Sequence, residues 1–212
     1  MSTKAKLIIL AGVYIVFMLT VFRSAVEASR WVGILEVGEP LPIQIFVSNS
    51  LFNMQQFMFV QTFFFVMYLF LTHKPITSPQ FILRCRPHYF RKLLLLGMKR
   101  AGGYSLFAIL VSTITPMLCG APFVLDLWYF SHSLRFFLLV FVMFLIYLTL
   151  LFVVKQATFS VIGLGVLNFI ISAATLATWN VELETAVLNY YLAFGIGLIG
   201  FIYLKCKKGE FI

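Results

Sequence analysis

Residues 136–154 read "FFLLVFVMFLIYLTLLFVV", an apolar stretch without one charge. About 20 such residues cross the ~30 Å hydrocarbon core of a bilayer as a single α-helix, and the helix satisfies its own backbone polar groups where no water is present. Comparable runs recur along the whole 212-residue chain. With 62% hydrophobic and only 11% charged residues, the chain is far from the roughly one quarter charged content of a soluble domain. These features imply an all-α, polytopic membrane protein, one transmembrane domain over residues 1–212. Six spans are expected, at about 6–22, 51–72, 104–125, 134–154, 159–179 and 186–204. The first run has Lys4 and Lys6 before it and "SAVEAS" behind it, as a signal peptide would; we read it as a retained span.

Assigning the connections alternately to two sides separates the charges. Lys4, Lys6, Lys74, Arg84, Arg86, Arg91, Lys92, Lys99, Arg100, Lys155, Lys205, Lys207 and Lys208 fall on one side, and Arg23, Arg30 and Arg135 on the other. Cytoplasmic loops carry the excess of Lys and Arg, so both termini and residues 73–103 are expected in the cytoplasm of a cell-membrane protein. An odd number of spans would scramble this asymmetry. Six of the 16 Lys and Arg crowd into residues 81–100, "FILRCRPHYFRKLLLLGMKR". At 100° per residue Arg84, Arg91, Lys92 and Lys99 share one face, while Phe90, Leu93, Leu94 and Met98 supply apolar material elsewhere. An amphipathic helix along the inner interface is expected from about Pro87 onward, hinged into the third span at Gly102 and Gly103. Such a segment suits anionic lipid headgroups or docking of a cytoplasmic partner; no nucleic-acid partner is implied.

Catalytic signals are sparse. No ionisable residue lies in the middle of a predicted span, which argues against a proton-coupled pump, an ion channel or a metal transporter. Cys85, Cys119 and Cys206 are too scattered for a disulfide framework. Cys85 and His88 of "CRPH" lie within a helical turn, with His73 upstream, but no acid is near to orient an imidazole. An integral-membrane cysteine peptidase is therefore only a remote alternative. The chain has no H-E-x-x-H, no G-x-S-x-G and no phosphate-binding Gly-rich Lys motif, and it is read as non-enzymatic with no metal or cofactor of its own.

Small and polar residues inside the spans form patterns. Gly165, Asn168, Ser172 and Thr175 are spaced as one helical stripe. Ala193 and Gly197, with Gly195 and Gly200 nearby, make a small-xxx-small element. Asn53, Gln55, Gln56 and Gln61 mark the second span, and Ser112, Thr113 and Thr115 precede a kink expected at Pro116. Asn53, Gln56, Gln61, Ser112, Thr115, Asn168, Ser172 and Thr175 are candidates for a cargo path or a helix-packing seam. The nearly featureless fourth span is expected to face lipid. Arg23, Glu27 and Arg30 are spaced for ion pairs on an extension of the first helix, which "EPLP" at 39–42 would end.

The layout, together with "FILRCRPHYFRKLLLLGMKRAGGYSLFAIL" between the second and third spans, resembles the permease subunits of type-2 ABC exporters, especially small ones tied to bacteriocin or antimicrobial-peptide export and immunity. The motif positions are Ile82, Leu83, Arg84, Tyr89, Arg91, Lys92, Tyr104 and Ser105. The resemblance implies that residues 81–100 form a coupling element, with Arg84, Arg86, Tyr89, Arg91, Lys92, Lys99 and Arg100 meeting a separate ABC ATPase subunit. That partner would hold ATP and Mg, and a second permease subunit, the same chain or another, would complete the transporter. A non-transporting membrane scaffold is the competing expectation.

Overall fold

The computed structural model describes residues 2–33, 35–36, 39–53, 56–72, 88–122, 126–176 and 181–208, and all regular structure among them is helical. Helix α1 (Thr3–Trp31) starts at Ser2, whose hydroxyl accepts the Ala5 N–H at 3.3 Å. It continues beyond its apolar run, and there Arg23 and Glu27 pair at 3.0 Å, as their spacing predicts. Both groups are exposed, so the pair adds a few tenths of a kcal/mol at most, on the order of 0.3.

The second span differs from expectation. Rather than one helix over 51–72, α2 (Ile43–Val47) runs into a π-helical turn at Ser48–Phe52 and the chain breaks. A second π-helical turn, Gln56–Gln61, then leads into α3 (Thr62–Thr72). The two arms, Ile43–Leu51 and Gln56–Thr72, meet at 62°. Asn53 explains the break. Its side-chain oxygen accepts the Gln56 N–H at 3.3 Å and its carbonyl accepts the Phe57 N–H at 2.8 Å. Asn53 thus caps the second arm instead of continuing the first.

Helix α4 (Tyr89–Leu118) runs unbroken through Gly102 and Gly103, so the hinge expected there is absent. Pro116 lies in its last turn and does not divide the span. Helix α5 (Leu127–Val154) is capped by Asp126, which accepts the Tyr129 N–H at 2.7 Å, and closes at Lys155 in the left-handed region (φ 59°). Helices α6 (Ala157–Leu176) and α7 (Val181–Lys208) follow. Among the described residues five helices are long and apolar enough to cross a membrane, and the bent pair makes a sixth if its arms count as one span.

Successive long helices run antiparallel. Phe90 at the start of α4 meets Tyr203 near the end of α7, and Arg135 near the start of α5 bonds Asn189 near the start of α7. One end of the bundle therefore gathers Lys4, Lys6, Arg91, Lys92, Lys99, Lys155, Lys205 and Lys207; we call it the basic end.

The bundle is centred on α5, and this overturns the expectation that the fourth span faces lipid. Every residue from Val142 to Leu148 is buried, which encloses the helix on all sides. The outward apolar faces belong to helices with polar or small residues: Ile8 and Val16 of α1, Phe169 and Ile170 of α6, and Phe194 and Ile196 of α7 are all exposed. The reason is the solvent. Hydrocarbon does not penalise an apolar face, so polar faces turn inward and a uniformly apolar helix takes the centre. Glycines let neighbours approach it. A Cβ on Gly97 of α4 would stand 2.5 Å from the Phe144 ring, and one on Gly195 of α7 would stand 2.5 Å from Val142. Gly197 and Gly200, by contrast, face open space, and Ala193 is exposed.

Candidate functional site

Two neighbouring residues at the junction of the π-helical turn and α3 organise the interior. Gln61 is fully buried. Its side-chain oxygen accepts the hydroxyls of Tyr14 of α1 (3.2 Å) and Tyr104 of α4 (2.8 Å), and its amide nitrogen donates to the Ser50 carbonyl at 3.1 Å. The Tyr104 hydroxyl also lies 3.1 Å from the Gln61 carbonyl. Gln61 thus joins α1, α4 and the other arm of the bent pair.

Thr62 points the opposite way. Its hydroxyl accepts the side-chain amide of Asn168 of α6 at 2.9 Å, lies 3.3 Å from the Phe57 carbonyl, and approaches the Met143 sulfur of α5 at 3.8 Å. The Asn168 side-chain oxygen accepts the Tyr191 hydroxyl of α7 at 3.3 Å. Gln61 and Thr62 together therefore tie the bent segment to both flanks of the bundle. Hydrogen-bonding side chains in a dry interior stay inward because leaving them unmet costs more than the bonds contribute. A π-helical turn is needed here, since one extra residue per turn redirects successive side chains.

The other seam candidates fall around these bonds. Ser112 and Thr115 are buried on α4, and the Thr115 hydroxyl returns to the Val111 carbonyl at 2.8 Å. Ser172 is buried one turn from Asn168. Gln56 is half-buried at the start of the second arm, and Asn53 is exposed as its cap. The side chain of Thr175 lies outside the described residues. Sequence reasoning missed Tyr14, Thr62 and Tyr191 as partners. The available signal was a hydroxyl-bearing residue in an otherwise hydrocarbon run, which a buried site must satisfy.

The coupling residues divide. Arg84 and Arg86 lie outside the described residues. Arg91, Lys92 and Lys99 are exposed, with exposed Leu95 and Met98 between them on one face of α4. Tyr89 and Arg100 do not share that face: both are buried, on the same side of α4 as Leu93, Gly97 and Tyr104. This corrects their grouping with the docking residues. Arg100 is only 7% exposed. Its Nη2 donates to the Thr72 carbonyl at the end of α3 at 2.9 Å, where unmet helix carbonyls carry partial negative charge. Tyr68 and Tyr147 flank it, and its Nη1 has no hydrogen-bond partner.

Between α1, α3 and α4, beside the Gln61 bonds, lies a cavity of about 200 Å³ lined by Leu7, Ala11, Tyr14, Phe64, Tyr68 and Phe107, among others. A second, of about 260 Å³, lies between α3 and α6 beside Thr62 and Gly165. No family model, curated protein or solved structure matches this chain.

Proposed function

We propose that this chain is the membrane-spanning permease subunit of an ATP-driven exporter, moving a peptide or other amphipathic cargo outward with energy from a separate ATPase subunit. The observation that carries this reading is the construction of α4. It begins with an exposed basic face at Arg91, Lys92 and Lys99, and runs without a hinge to Tyr104, which bonds Gln61 at the break in the bent segment. A partner pressing on the basic end would move a rigid rod attached to the one interrupted span. On this reading the basic end faces the cytoplasm, ATP and Mg reside on the partner, and a second permease subunit completes the path.

The test is affinity purification from native membranes in mild detergent. Wild type should retain a chain with a nucleotide-binding Gly-rich Lys motif, and the triple reversal R91E/K92E/K99E should lose it while keeping its own fold. Finding no ATPase with wild type, under conditions that preserve a known ABC complex, would sink the proposal. The second reading, a non-transporting scaffold, is favoured by one feature: Gln61 and Asn168 bond across helices and line neither cavity. A stable partner without a nucleotide site would select it.

A further inference from the structure

Arg100 poses a chemical problem that the described residues do not solve. It is a guanidinium at 7% exposure with one hydrogen bond, to a backbone carbonyl, and an unmet Nη1. Among the described residues the only ion pair is Arg23–Glu27, and Glu27, Glu36, Glu39 and Asp126 belong to the opposite end of the bundle. An ionised group in a membrane interior normally has a partner, and no carboxylate among the described residues stands beside Arg100, so an anion from outside them is the missing element.

The surroundings specify which anion. One helical turn from Arg100 on α4, Gly103 borders the 200 Å³ cavity, and the Tyr68 hydroxyl would lie 3.5 Å from a Cβ there. Tyr14 and Tyr104 also border the cavity, with their hydroxyls engaged by Gln61, and the rest of the wall is apolar: Leu7 and Ala11 of α1, Phe64 of α3, Phe107 of α4. Two exposed cations lie one helical turn from residues that line the cavity. Lys4 shares a face of α1 with Leu7, Ala11 and Tyr14, and Lys99 shares a face of α4 with Gly103. Helix α1 is the least enclosed of the long helices and forms the outer wall, with Ile8, Ile9 and Val13 exposed beside it. A ligand could therefore enter sideways from the bilayer.

We propose that the groove between α1, α3 and α4 holds an acyl chain of an anionic phospholipid whose headgroup phosphate pairs with Arg100 and is flanked by Lys4 and Lys99. Basic pockets between membrane helices recognise such headgroups, and a guanidinium matches phosphate through paired N–H donors. The lipid completes the interior: its phosphate meets Nη1, and its chain fills a mostly apolar cavity.

Native mass spectrometry of the full chain tests this, with phosphatidylglycerol, phosphatidylcholine and inorganic phosphate as probes. One phosphatidylglycerol should be retained where phosphatidylcholine is lost. Arg100→Gln should need about tenfold more phosphatidylglycerol for equal retention, the loss expected for a charge-assisted hydrogen bond. Ala11→Phe fills the groove from α1, leaves Arg100 in place, and should weaken retention as well; it decides the matter if Arg100→Gln fails to fold. Lys207→Gln removes an exposed cation of the same end and should change nothing. Equal retention of the two lipids, retention unaltered in Ala11→Phe, or displacement of the lipid by inorganic phosphate at equal concentration would each overturn the proposal.

Discussion

Gln61 and Arg100 show how much a single side chain decides when its surroundings are hydrocarbon. Gln61 accepts from two tyrosines and donates to a carbonyl across the break, so three segments depend on one amide. Gln61→Leu keeps the volume but takes the side-chain partner from the Tyr14 hydroxyl and the Ser50 carbonyl, leaves Tyr104 only the backbone carbonyl, and should cost about 2–3 kcal/mol, the penalty for buried unmet polar groups. Tyr104→Phe removes one bond without leaving a stranded donor and should cost about 0.6 kcal/mol, the average for hydrogen bonds between membrane helices. Reversible unfolding in mixed micelles measures both. Equal losses in the two variants would show that Gln61 is not the hub. Both Gln61 and Asn168 were visible in the sequence as polar interruptions of apolar runs. Their partners were not, because a tyrosine in such a run reads as one more aromatic until a facing helix supplies its acceptor.

At the scale of elements, the contrast between α5 and its neighbours follows from side-chain size. Large aliphatic and aromatic groups surround α5 from Val142 to Leu148, and two neighbouring helices come close there at glycines, Gly97 and Gly195. Gly97→Val should push α4 off the buried Phe144 ring, and Gly195→Val should push α7 off Val142. Each should destabilise by about 1–3 kcal/mol, as overpacking does. Gly197→Ala faces open space, and should be neutral or stabilise by up to ~1 kcal/mol through helix propensity. Thermal unfolding in one detergent ranks the three, and a Gly197→Ala loss matching that of Gly97→Val would contradict the packing. The small-xxx-small spacing in α7 picked out both kinds of glycine alike. Spacing identifies a face, but only the position of α5 says whether that face meets a helix or the bilayer.

The whole molecule separates its charges by end. Lys4, Arg91, Lys155 and Lys207 share one end with Cys206, while Cys119 lies exposed beyond the last turn of α4 at the other. On the proposed orientation, which puts the basic end in the cytoplasm, a single-cysteine variant keeping Cys119 should react with an impermeant maleimide on intact cells. A variant keeping Cys206 should react only after permeabilisation. The reverse pattern, Cys206 labelled on intact cells and Cys119 only after permeabilisation, would mean that the bent pair does not cross the membrane as one span, and would reverse the orientation of every helix after it.

Composition and run length alone determined that the chain is helical and built for a bilayer, because hydrocarbon admits few other arrangements of a backbone. Local spacing determined the Arg23–Glu27 pair, since both partners sit on one helix a turn apart. Tertiary structure decided the rest. The second span breaks because Asn53 caps a new arm, and nothing local forbids a continuous helix over 51–72. Arg91 and Arg100 look alike in the sequence, yet one is exposed and the other turns inward to the end of α3. The plainest apolar run took the centre because, among lipid-compatible helices, it alone has no polar face that must be turned away from hydrocarbon. Which face of a helix turns inward is set by what stands opposite it.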